Sequence, residues 1–96
     1  MFDLTGRVAI VTGGASGIGR GIVASLREAG ATVVIADIDL DHATATAEEL
    51  GASAIRVDVT DRASVKDLYR QVTTEHGGLA DSSGRGNTIL VFGGIA

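Results

Sequence analysis

The residues best placed to do chemistry stand in one glycine-rich run, Thr12-Gly13-Gly14-Ala15-Ser16-Gly17-Ile18-Gly19, and in two aspartates downstream, Asp37 and Asp58. The run follows Val8-Ala9-Ile10-Val11 and opens into an amphipathic segment beginning at Ile18. A glycine-rich turn between a buried strand and a helix N-terminus suits a phosphate. Missing side chains admit the ligand to the backbone, and unpaired N–H groups with the helix dipole attract negative charge. Asp37 stands 18 positions after Gly19, at the end of the next apolar run. A carboxylate about 20 residues past such a turn is placed to hold the hydroxyls of an adenosine ribose. Taken singly, the glycines make a tight turn without a ligand, and Asp37 makes a helix or turn cap. The pairing says more than either part.

A phosphate loop of the nucleoside-triphosphatase kind is the natural competitor, because Gly14 and Gly19 have its G-x-x-x-x-G spacing. Arg20-Gly21 follows where that loop needs Lys and then Ser or Thr. Without the lysine on the β/γ-phosphates and the hydroxyl on magnesium, that chemistry has no agents.

The elements that must position these residues can be read from apolar runs and helical spacing. Arg7 to Thr12 reads as a central strand, apolar on both faces. Ile18, Ile22, Val23 and Leu26 share one side of a helix that Gly30 stops. Thr32 to Ala36 is a second strand ending at Asp37, and Asp39 or Asp41 caps a helix with a buried stripe of Ala43, Ala47 and Leu50, halted by Gly51. Ala54 to Val57 is a third strand ending at Asp58. Thr60 or Asp61 then caps a third helix with Val65, Leu68, Tyr69 and Val72 at i, i+3, i+4 and i+7, closed by Gly77 and Gly78. Thr88 to Phe92 is a fourth strand. This alternation predicts an α/β fold, a partial Rossmann-like parallel sheet of about four strands with right-handed crossovers through three helices. With the fourth strand beside the first, the order is 3-2-1-4 and the glycine run sits at the switch point. Thr12, Asp37 and Asp58 then lie along one sheet edge, where ligands of open α/β sheets bind.

The totals bound the class. Ninety-six residues make one small domain, with residues 80–96 as an atypical loop plus the fourth strand. A net charge of −4, from 12 acidic and 8 basic residues, argues against nucleic acid or an anionic membrane as the main partner. With no cysteine there is no disulfide or thiolate metal site, and a reducing cytosol is permitted. Neither a signal peptide nor a membrane-length apolar stretch is visible, so a cytoplasmic location is expected. His42 and His76 stand alone near helix ends, and no cluster of His, Asp and Glu points to a metal.

The run Thr12 to Gly19 resembles the TGxxxGxG turn of the short-chain dehydrogenase/reductase family. The resemblance extends over about residues 4 to 79, through Asp37 and through Asp58-Val59 after the third strand. It implies a dinucleotide-binding half-domain of an oxidoreductase that passes hydride to or from a secondary alcohol or ketone. By the same resemblance Gly13, Gly17 and Gly19 shape the turn and admit the pyrophosphate. Ser16 and the Ile18 backbone border the phosphates, Asp37 holds the ribose, and Asp58 with Val59 flanks the adenine. NAD is expected over NADP, because a 2′-phosphate would face the Asp37 carboxylate and no basic residue stands at Ser16 or Ile38.

Two departures from the family pattern set limits. An insertion-like segment, Asp81 to Asn87, precedes the fourth strand, and Phe92-Gly93-Gly94 stands where the family has an NNAG loop. Gly93 there would still let the cofactor approach the backbone. Truncation, rearrangement or engineering of residues 80–96 would account for the departure. The family's catalytic Ser and Tyr-x-x-x-Lys pair fall beyond this length, and Tyr69 is followed four positions on by Thr73. No catalytic residue is therefore assigned, and the chain alone is expected to bind NAD without turnover. The alternative is a non-catalytic nucleotide-binding or self-assembling half-domain. Its partner would be a second copy or a complementary domain at the exposed strand edge.

Overall fold

Helices cover both faces of the strand Val8–Thr12 (β1), so all five of its residues are buried. The computed structural model describes residues 3–15, 17–76 and 88–92. After β1 come Gly17–Glu28 (α1), Thr32–Asp37 (β2), Leu40–Leu50 (α2), Ser53–Arg56 (β3), Arg62–His76 (α3) and Thr88–Phe92 (β4). The four strands form one parallel sheet in the order β3-β2-β1-β4, as the alternation predicts. Val8 pairs with Thr32 on one side and Thr88 on the other; Thr12 pairs with Ala36 and Phe92.

Alternation along β1 and β2 splits the core into two layers. Ala9, Val11, Val33 and Ile35 face α1 and α2, where they meet Val23, Ala43 and Ala47. Val8, Ile10, Val34 and Ala36 face α3, where they meet Leu68 and Val72. Small residues dominate the first layer, which lets two helices settle close to the sheet. An exposed ion pair from Arg20 to Glu49 also links α1 to α2, an interaction worth little by itself.

The helix ends follow the expected capping chemistry. Asp39, not Asp41, caps α2: its Oδ1 accepts from the His42 amide at 3.0 Å. Asp61, not Thr60, precedes α3, and its Oδ1 accepts from the Ala63 amide at 3.0 Å. Gly51 closes α2 by donating its amide to the Ala47 carbonyl.

Three expectations change. Ile18 is 76% exposed rather than part of the α1 stripe, because it lies in the first turn beyond the end of β1. The third strand runs from Ser53 to Arg56, one residue earlier than expected, since pairing ends at Asp37 with Arg56. Val57 is buried past that end, against the α3 layer, and Asp58 follows the strand instead of terminating it. The α2 stripe also includes Thr46, which is 2% exposed beside Ala43 and Ala47. Ser16, Gly77, Gly78, the segment Asp81 to Asn87 and Gly93-Gly94 lie outside the described residues.

Candidate functional site

The turn after β1 is set by backbone geometry that other residues resist. Gly13 and Gly17 take φ of 68° and 58°, the left-handed region that L side chains rarely enter. Gly19 is constrained differently. A Cβ there would strike the Gly13 carbonyl oxygen and come within 2.9 Å of the Gly14 Cα, so α1 can press against the turn only without a side chain. A Cβ at Gly17 would project into open space, leaving room at the start of α1. No acidic residue occupies the first turn of α1, so the positive end of its dipole is not cancelled there.

Two hydrogen bonds tie this turn to the rest of the fold. The Gly13 amide donates to the Ala36 carbonyl at 2.8 Å, latching the turn to the residue before Asp37. The Thr46 hydroxyl donates to the Ala15 carbonyl at 3.1 Å, latching it to α2. Thr46 is a residue that spacing alone missed. It sits at i+3 from Ala43 on the apolar stripe, and a polar side chain in that position was the available signal.

Asp37 is half-buried at the end of β2, and its Oδ1 accepts from the Asp39 amide at 3.1 Å. Its own carbonyl accepts from the Val57 amide at 3.0 Å. That bond places the Asp58-Val59 segment next along the same edge. Asp58 Oδ1 accepts from the Thr60 hydroxyl at 2.6 Å and the Thr60 amide at 3.0 Å. These two bonds hold its carboxyl below the ordinary value of 3.8; partial desolvation opposes them and Arg56 assists.

Gly13, Gly17, Gly19, Asp37, Asp58 and Val59 thus converge on the C-terminal edge of the sheet, with Ile18 in the adjoining first turn of α1. The large exposed apolar residues, among those described, are Ile18, Ile38, Leu40 and Val59, all in segments that leave this edge. Apolar surface beside a phosphate-type turn suits a ligand with a flat base at one end. Among the described residues no group of three or more His, Cys, Asp or Glu gathers as a metal site. No helix among them is long and apolar enough to cross a membrane.

The model of the short chain dehydrogenase family matches residues 7–80, most of the chain and every element from β1 to α3. The chain belongs to that family. Galactitol 2-dehydrogenase of Agrobacterium fabrum is 42% identical over 78 residues, which is 79% of this chain and 30% of the relative. A 3-ketoacyl-(acyl-carrier-protein) reductase of Brucella melitensis, solved in complex with NADH, is 34% identical with a TM-score of 0.74; the match covers 78% of this chain and 32% of that one. RhlG of Pseudomonas aeruginosa, solved as an NADP complex, is 37% identical with a TM-score of 0.73, over 77% of this chain and 30% of that one. This short chain dehydrogenase sequence therefore spans about a third of the length of the relatives it matches.

The residues present fit an adenine dinucleotide. The open space at Gly17, the uncancelled helix end and the Asp37 carboxylate lie along one edge in the order that phosphate and ribose require.

Proposed function

We propose that these 96 residues form the part of an oxidoreductase that holds a nicotinamide adenine dinucleotide, with NAD preferred to NADP. The observation that carries the proposal is the hydrogen bond from the Gly13 amide to the Ala36 carbonyl, which fixes the phosphate-type turn one residue from the Asp37 carboxylate. In this reading Gly13, Gly17 and Gly19 give the pyrophosphate access to backbone amides, and Ser16 and Ile18 border it. Asp37 accepts hydrogen bonds from the ribose hydroxyls, while Asp58 and Val59 flank the adenine. Gly93, the residue after β4 in sequence, would let the cofactor approach the backbone.

Bound there, the cofactor supplies a hydride-carrying nicotinamide. This chain's own residues bind and orient it. None of these residues is assigned the proton transfer at a substrate carbonyl or alcohol. A 2′-phosphate would bring negative charge against Asp37 in place of a ribose hydroxyl, which is the physical basis of the preference for NAD.

Asp37→Ala tests the assignment. Loss of hydrogen bonds to a charged acceptor weakens NAD binding by about 1.5–3 kcal/mol. The same variant relaxes discrimination against NADP. Unchanged NAD affinity together with an unchanged NAD-to-NADP ratio would refute the role given to Asp37.

A further inference from the structure

Thr46 is buried at 2% exposure on the apolar stripe of α2, yet the hydrogen bond its hydroxyl donates leaves its own helix. A threonine inside a helix commonly returns its hydroxyl to the carbonyl one turn back. Here it reaches across 31 positions and donates to the carbonyl of Ala15. Ala15 is itself 1% exposed, so without Thr46 that carbonyl would be a buried acceptor removed from water. The bond fastens the turn at Ala15 to α2. It is on this turn that the diphosphate would rest.

We propose that Thr46 is a positioning residue for cofactor binding: through the Ala15 carbonyl it holds the glycine turn in the orientation that presents backbone amides to the diphosphate. The inference rests on the dinucleotide reading above and adds a residue that does not touch the cofactor. The same helix begins three residues after Asp37, at Leu40, behind the Asp39 cap. Helix α2 therefore joins the ribose end of the site to the phosphate end, with Thr46 as its contact to the second. Affinity for the diphosphate depends on this hydroxyl, whereas affinity for the nucleoside does not.

The test compares Thr46→Val, which keeps the shape and removes the hydroxyl, with Thr46→Ser, which keeps the hydroxyl. Binding of ADP-ribose and of adenosine to the 96-residue chain is followed by NMR titration, and hydrogen exchange is measured for the Gly13–Ala15 amides. Thr46→Val is expected to weaken ADP-ribose about tenfold, a change of about 1.4 kcal/mol, while adenosine shifts by less than about twofold. Exchange at Gly13–Ala15 speeds up in the valine variant, and Thr46→Ser restores both readouts. Equal losses for the two ligands would mark Thr46 as a packing residue only and overturn the proposal. So would ADP-ribose binding that the valine variant leaves unchanged. If the parent chain bound neither NAD nor ADP-ribose, the cofactor reading and this inference would fall together. Exchange data would then still tell whether Thr46 holds the turn: unchanged rates in Thr46→Val refute that as well.

Discussion

A side chain at position 19 has nowhere to go but into the backbone of Gly13 and Gly14. Backbone cannot swing aside as a flexible side chain can, so Gly19→Ala must push α1 away from the turn. Overpacking of this kind costs about 1–3 kcal/mol. The expected result is a lower melting temperature and a loss of NAD binding; an alanine variant that binds NAD as the parent does would contradict the geometry. Asp58 offers a pH-dependent readout at the same scale. Its carboxyl is held below 3.8 first by the Thr60 hydroxyl and then by the Thr60 amide. The sign follows from the depressed value: these bonds favour the folded state above the ordinary carboxylate pKa, and the benefit disappears as pH falls through the lower folded value. Thr60→Val removes the larger contribution. Carboxyl-carbon NMR should then show the Asp58 midpoint moving up toward 3.8, and an unmoved midpoint would mean that the hydroxyl is not the cause.

At the scale of elements, α2 depends on Asp39, whose carboxylate accepts from the His42 amide at the helix start. Asp39→Ala is expected to cost about 0.5–2 kcal/mol in thermal or denaturant unfolding. Because the Asp39 amide still donates to Asp37, NAD affinity should fall far less than in Asp37→Ala. Most of this architecture was legible because continuous apolar runs, Val8-Ala9-Ile10-Val11 and Val33-Val34-Ile35-Ala36, have no interpretation in an α/β chain other than strands buried on both faces. Helical spacing placed Ile18 with Val23, but spacing does not know where the sheet ends. Ile18 lies past that end and is exposed, while Val23 is fully covered. The bounds of β3 differ by one residue for a related reason: Val57 is apolar because the α3 layer buries it, not because it pairs with β2. Thr46 escaped because a hydroxyl on an apolar stripe declares its purpose only when its acceptor, 31 residues away, is brought beside it.

At the scale of the molecule, the proposed site draws mainly on consecutive units, from β1 through the start of α3. The spacing of Gly13 to Gly19, Asp37 and Asp58 therefore carried most of it into the sequence. The family relationship follows the same extent, residues 7–80. With β1 between β2 and β4, the glycine turn emerges at the point where connections leave toward opposite sides of the sheet, the usual ligand crevice of such folds. A net charge of −4 does not attract an anionic dinucleotide, so the binding proposed for this chain rests on the local donors of the turn and on Asp37. The most direct test is calorimetric titration of the chain with NAD and, separately, with NADP. Saturable binding of NAD, with NADP weaker by about tenfold or more, is the predicted result. No binding of either cofactor, or NADP binding as tight as NAD, would contradict it.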